Sequence, residues 1–174
     1  MGDALRRLFL AIGIALGLAA GQSDPSLFAR LALEGDRIAV SARVEQAFAP
    51  GALELVAAGT RVALRFSAQA NSVSGAGLRV EEIRSLCYKL RSGRYEVVYG
   101  GGKTAALVDP MAAQTLACEL SGLALCRTQE LPEGARVVVR AEIGLLDSRG
   151  AWHDAPVLWN YSAPRVVLGY GRGH

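Results

Sequence analysis

The sequence predicts a single α+β domain, built mainly from antiparallel β-sheet in a meander or sandwich-like arrangement with two short helices and preceded by a signal peptide. Several segments alternate apolar and polar residues with a period of two, which indicates half-buried strands. Two other segments carry proline near the start and glycine at the end, as short helices do. The 51% hydrophobic and 20% charged composition excludes a disordered chain. Because 174 residues suit one ordinary domain, we place a single β-rich unit at residues 30–170.

The N-terminus has the layout of a secretory signal. Arg6 and Arg7 precede the uncharged apolar stretch Leu8–Ala20, and Gly21–Pro25 then breaks the pattern. The stretch has 13 residues, fewer than the roughly 20 of a membrane-spanning helix. We therefore predict that residues 1–21 are a signal peptide or, if uncleaved, an N-terminal membrane anchor that contacts the membrane through residues 8–20. The protein is then exported, and is periplasmic or associated with the cell envelope.

The first strands and the first helix follow directly from the pattern. Apolar residues alternate with polar ones over Arg37–Val44 and again over Thr60–Gln69. Between these two strands, Pro50–Gly59 has proline at a helix start and glycine at a helix end.

A long hairpin comes next. Leu78–Arg91 predicts a strand in which Val80 and Ile83 are out of phase, so a β-bulge is predicted near Glu81 and Glu82. Ser92-Gly93 predicts the turn into a returning strand that ends near Tyr99.

The later elements are a short strand, a helix and a strong strand. Lys103–Val108 resumes the sheet, and Asp109 caps a helix that runs to about Ser121 and is ended by Gly122. Arg136–Leu146 alternates most clearly of the late segments. Such alternation is typical of antiparallel hairpins with one face in water, so the helices are expected to cover the other face.

The run RIAVSARVEQAFAPGALELVAAGTRVALRF, residues 37–66, resembles a bacterial envelope family, the domain-of-unknown-function family numbered 4390. That family joins a strand, a short helix and an apolar strand to a long hairpin, a helix and a last strand pair. Residues 79–99, 115–122 and 136–147 are similar to the later parts, so the likeness spans about residues 37–147. It implies an exported, strand-rich and non-enzymatic protein.

The cysteines leave two interpretations open. Cys87, Cys118 and Cys126 are odd in number, so at most one bridge forms within the chain. Cys118 and Cys126 are the candidate disulfide, and three buried thiols are the alternative. A zinc site is not predicted, because no Cys-x-x-Cys spacing occurs and the two histidines stand at positions 153 and 174.

Catalytic motifs are weak throughout. Gly102-Lys103-Thr104 resembles the end of a phosphate-binding loop, but Val97 stands where the first glycine is needed. His153-Asp154 suggests a base and an orienting carboxylate, yet no Gly-x-Ser-x-Gly turn accompanies it. We therefore assign no catalytic residue, no metal and no cofactor.

The C-terminal region has the densest unusual composition. Trp152, Trp159 and Tyr161 stand near Arg165, a combination that suits a protein contact or a glycan platform. The alternative is a strand pair over Val157–Tyr161 and Arg165–Tyr170 whose aromatic rings pack on the core.

These patterns favour a non-catalytic interaction or accessory module of the bacterial envelope, whose partner is another envelope protein. A small-molecule or glycan-binding domain using the C-terminal aromatics is the alternative, and a hydrolase around His153 and Asp154 ranks behind both. Nucleic acid is not expected as a partner, because the net charge is only +3 and the arginines are scattered along the sequence.

Overall fold

The computed structural model describes residues 24–171, so the predicted signal or anchor segment, residues 1–21, lies outside the described residues. Within residues 24–171, no helix has the length and apolar character needed to cross a membrane. The described chain forms two antiparallel sheets and two helices, and the predicted fold class is confirmed.

The strands are, in chain order, β1 (Ser26–Glu34), β2 (Arg37–Glu45), β3 (Arg61–Asn71), β4 (Gly77–Lys89), β5 (Arg94–Tyr99), β6 (Lys103–Leu107), β7 (Glu119–Arg127), β8 (Arg136–Leu146), β9 (Trp152–Asp154) and β10 (Arg165–Gly169). Three of them form a small sheet in the order β1-β2-β7. The other seven form a large sheet in the order β10-β8-β3-β4-β5-β6, with β9 also paired to β8.

Two α-helices interrupt the strands. Helix α1 (Pro50–Ala57) begins with proline, as predicted. Helix α2 (Pro110–Cys118) is capped by the Asp109 carboxylate, which accepts hydrogen bonds from the backbone N–H groups of Met111 and Ala112. A single turn of 3-10 helix, Pro156–Trp159, lies in the connection between β9 and β10.

One apolar core fills the space between the two sheets. Strand β7 lies against β4, and β1 lies beside β10. As the sequence predicts, every second side chain of β2, β3 and β8 points into this core. Val40, Phe66 and Val139 are fully buried examples, one from each strand. The opposite face of the large sheet is left towards solvent.

The predicted bulge near Glu81 and Glu82 is wrong. Strand β4 pairs with β3 in unbroken register, and Ile83 points outward with 39% of its surface exposed. The alternation continues instead through two charged residues, Glu82 and Arg84, at inward positions.

A bulge is found between β2 and β7. Ser41 on β2 faces both Ser121 and Gly122 on β7, and Gly122 adopts a φ of +66°. The Gly122 N–H donates a 3.3 Å hydrogen bond to Ser41 Oγ. The predicted end of the second helix is therefore also wrong, because the chain passes from helix to strand at Glu119 and Gly122 lies within the sheet.

The predicted strand over Val157–Tyr161 is wrong as well. Pro156 starts the 3-10 turn, and Asn160 and Tyr161 follow with φ of +49° and +63°. A left-handed pair of this kind cannot continue a strand. The second predicted strand of that pair is found as β10.

Candidate functional site

The C-terminal aromatic residues do not form one platform. Trp159 is 98% buried, and its indole N–H donates a 2.8 Å hydrogen bond to the carbonyl oxygen of Ala47. Tyr161 is 76% exposed in the turn after it. The prediction of Trp159 as a contact residue is wrong, because burial in the core leaves no surface for a partner.

Trp152 belongs to a polar cluster on the outer face of the large sheet. Its indole packs on Gly144 of β8, where an added Cβ would lie 2.5 Å from the ring. The Arg65 guanidinium lies 4.5 Å from the ring centroid and forms a 2.6 Å ion pair with Glu142. The Trp152 indole N–H donates a 2.7 Å hydrogen bond to Asp154. The indole is therefore held in place over the sheet by its neighbours.

His153 and Asp154 are not arranged as a catalytic pair. The Nε2 atom of His153 lies 3.5 Å from an Asp147 oxygen, whereas Asp154 faces Trp152 and Arg65. Backbone N–H groups of Ala151 and Arg149, with the His153 side chain, lower the pKa of Asp147. These contacts order the loop between β8 and β9.

The candidate disulfide is wrong, since all three cysteines are free. Cys118 ends helix α2 and Cys126 lies near the far end of β7. Cys126 lies seven strand residues beyond Glu119, and at about 3.3 Å per residue this separates their Cα atoms by about 23 Å, far beyond the ~7 Å limit for a bridge. Burial raises the pKa of Cys87 and of Cys126, and raises that of Cys118 to about 12.

The outer face of the large sheet gathers positive charge. The strand registers place eight cationic and four carboxylate side chains on it, a net charge of +4. Elsewhere in residues 24–171, eight cationic and eleven carboxylate side chains give −3. We call this surface the basic face; its charged residues are Arg61, Arg65, Arg79, Lys89, Arg94, Arg136, Arg140, Arg165, Glu81, Glu96, Glu142 and Asp154.

Carboxylates neutralise one part of the basic face. Glu142 pairs with Arg65, and Glu96 accepts both Arg61 at 2.8 Å and Lys89 at 3.2 Å. Arg79 pairs with Glu81.

Apart from Arg94 on β5, which also forms no ion pair within residues 24–171, the uncompensated charge of the basic face lies on β8 and β10. Arg136, Arg140 and Arg165 are exposed and form no ion pair with any residue of the described chain. Arg140 and Arg165 stand directly opposite each other on β8 and β10. Like charges in such positions are destabilising.

A shallow groove lies beside Arg136. Its volume is about 480 Å³, and Gln69, Arg79, Arg136 and Val138 are among the residues that line it. A larger depression, of about 920 Å³, lies on the small sheet between Phe28, Arg43 and Gly122. Both are open to solvent.

No protein-family model matches the chain, and neither a curated protein nor a solved structure matches it significantly. Membership of the family numbered 4390 stays a prediction. The three-dimensional arrangement of the side chains is therefore the ground for a functional proposal.

The sequence analysis named Arg165 as a candidate contact residue but did not name the arginines that surround it. Arg140 and Arg136 are ordinary outward residues in the sequence of β8, and Arg165 lies 25 positions beyond Arg140. Only the β8–β10 pairing brings them together. The available signal was that Arg136, Arg140 and Arg165 occupy outward positions of two predicted strands. Their separation in the sequence concealed that these positions are neighbours.

Proposed function

We propose that this protein is an exported, non-catalytic interaction module of the bacterial envelope, and that the basic face contacts its partner. The charge segregation supports this proposal: a domain with almost no net charge places +4 on one sheet face and −3 elsewhere among residues 24–171. Surfaces of one sign attract partners of the opposite sign and favour one orientation of encounter. The signal-like N-terminal sequence supports the exported location.

The glycan-binding alternative has less support. Such sites stack sugar rings on neighbouring exposed aromatic side chains. Here Trp159 lies in the core, the Trp152 ring is occupied by Arg65, and Tyr161 stands in a separate turn. The basic face therefore provides the better contact surface.

Photo-cross-linking in the producing cells tests the proposal. A photoreactive amino acid replaces Val167, which is 54% exposed between Arg165 and the end of β10. The matched control replaces Leu33, which is 62% exposed on β1 of the small sheet. We expect a discrete adduct from position 167 and none from position 33.

Charge reversal sharpens the result. The double variant Arg140→Glu/Arg165→Glu is expected to remove the adduct, whereas Arg30→Glu/Arg127→Glu, with the same change in net charge on the small sheet, is expected to retain it. The mass of this protein without a cross-linked partner, measured in the same sample, also shows whether residues 1–20 or 1–21 have been removed. Equal adducts at both positions, or none at Val167, would contradict the proposed contact surface.

A further inference from the structure

We propose that the unpaired part of the basic face binds an extended acidic segment of a partner polypeptide, laid along β8 and β10. The surface consists of Arg136, Arg140 and Arg165 with Val138 and Val167 between them. This inference rests on the proposed function and names the chemistry of the partner.

Arg140 and Arg165 lack a carboxylate partner. On the same face, the Arg65 and Arg61 guanidinium groups each have a carboxylate within 2.6 to 2.8 Å. Arg140 faces Ser67 on one side and Arg165 on the other, so neither neighbour compensates its charge. Guanidinium groups bind carboxylates through paired N–H···O bonds, and a carboxylate from outside placed between Arg140 and Arg165 would relieve their repulsion.

The small sheet provides a useful contrast. Arg37 and Arg127 are also opposite each other, on β2 and β7. There, however, Glu34 faces Arg37 from β1. An opposite charge on the neighbouring strand is what the Arg140–Arg165 pair lacks.

The spacing of the arginines along β8 matches the repeat of an extended peptide. Arg136 and Arg140 are four residues apart on one face of β8, which is about 13 Å. An extended peptide parallel or antiparallel to β8 has the same repeat, so acidic residues at positions i and i+4 reach both arginines. Residue i+2 of the peptide then lies over Val138 and Val167, two apolar side chains between Arg136 and the Arg140–Arg165 pair.

The composition of the surface distinguishes a polypeptide from a nucleic acid. A groove of about 480 Å³ lies at one end of the surface, beside Arg136 and Val138. Proteins that bind single-stranded nucleic acid combine basic residues with aromatic stacking surfaces. No aromatic side chain belongs to this described surface, so the carboxylate of a polypeptide is favoured over a phosphate backbone.

A peptide titration tests the inference. The probe is a fluorescein-labelled peptide with the core Glu-Ser-Val-Ser-Glu, and its control has the same composition with the two glutamates adjacent. Fluorescence anisotropy is measured with the purified protein at about 0.1 M salt and again at about 1 M salt. The distance over which exposed charges interact falls from about 10 Å to about 3 Å between these two conditions. We expect the spaced peptide to bind more tightly and salt to weaken it.

Variants locate the site. Arg140→Glu/Arg165→Glu is expected to weaken the spaced peptide by about tenfold. Arg30→Glu/Arg127→Glu is expected to bind it as the unchanged protein does. Because Arg165→Glu also replaces a repulsive cross-strand pair with an attractive one, it is expected to raise the thermal unfolding midpoint while it weakens the peptide.

Three results would overturn the inference: no difference between the two peptides, equal weakening by the two double variants, or binding only to duplex DNA or to phosphatidylglycerol vesicles tested in parallel. Its failure is distinct from failure of the proposed function. An adduct at Val167 without peptide binding retains the contact surface and rejects the acidic segment. Loss of both the adduct and peptide binding rejects both.

Discussion

Gly144 shows how a single missing side chain shapes the surface of the large sheet. The Trp152 indole occupies the space directly above its Cα, and the carbonyl oxygen of His153 lies 2.7 Å from where a Cβ would be. The indole is thereby placed beneath Arg65 and beside Asp154. Glycine is required here by close approach, since the Gly144 φ lies outside the left-handed region.

Gly144→Ala is therefore expected to destabilise the protein by about 1–3 kcal/mol, the usual cost of overpacking. Urea denaturation followed by tryptophan fluorescence measures the change. The matched control is Gly169→Ala on β10, where an added Cβ meets nothing within 4 Å. If the two variants unfold at the same urea concentration, the close approach of Trp152 to Gly144 is contradicted.

The surroundings of Cys118 disfavour its thiolate, so we expect this thiol to react slowly. Burial in apolar surroundings disfavours its charged form, and Glu119 adds to this, so its pKa is raised to about 12. Because a raised pKa keeps the group protonated below that value, very few molecules carry the thiolate at pH 8.

We expect iodoacetamide at pH 8 to alkylate Cys118 in the folded protein at least about a hundredfold more slowly than in urea. Mass-spectrometric peptide mapping measures the rates, and the urea-unfolded protein is the control because burial is lost there. Equal rates in the two states would contradict the burial. The same mapping without reductant would reveal any Cys118–Cys126 bridge, a result incompatible with an extended β7.

At the scale of the element, the inward face of β4 carries an ion pair where a strand normally carries apolar residues. The side chains of Arg84 and Glu82 are only 5% and 14% exposed and lie 2.7 Å apart. Arg84 also donates to the carbonyl oxygen of Leu116 in α2, and Glu82 accepts from the N–H of Gly100 after β5. The pair thus connects β4 to the helix and to the neighbouring hairpin.

Removing one partner leaves the other buried without its counter-charge. Arg84→Leu and Glu82→Leu are each expected to cost about 3–5 kcal/mol. The double variant is expected to cost clearly less than the sum of the two, because it leaves no buried charge. Urea denaturation of all four proteins in this double-mutant cycle gives the coupling; additive costs would mean that the two charges do not interact.

The same pair explains what the sequence pattern of β4 could not reveal. Pattern reasoning expects charged residues to point outward, so Val80 and Ile83 looked out of phase and a bulge was predicted. Strands without buried charge, namely β2, β3 and β8, were predicted nearly to their ends. Strand β7 was missed because Gly122 has the usual signature of a helix end, and its role in a bulge depends on Ser41 of a distant strand.

At the scale of the whole molecule, net charge conceals the arrangement of the charges. The small net charge argued against a nucleic-acid partner, yet pairing of the strands separates the charged residues into a positive and a negative surface. Trp159 is buried through a contact with Ala47, and Arg140 meets Arg165 through the pairing of β8 with β10. Both contacts join distant parts of the chain. Such contacts are not encoded in any local period, which is why the fold class was predictable and the candidate site was not.

The order of strands in the large sheet also governs how the chain reaches its folded state. Strand β3 lies between β4 and β8, and its Arg65 pairs with Glu142, 77 residues further along the chain. Pairing of strands that are distant in sequence requires a large loop to close, which lowers the chain entropy before the stabilising contacts form. Domains dominated by such pairings fold in milliseconds to seconds. The central strand keeps an open edge until β8 has been synthesised. We therefore expect a nascent chain to complete the large sheet only after β8 has emerged, and late completion of this kind suits the export that we propose.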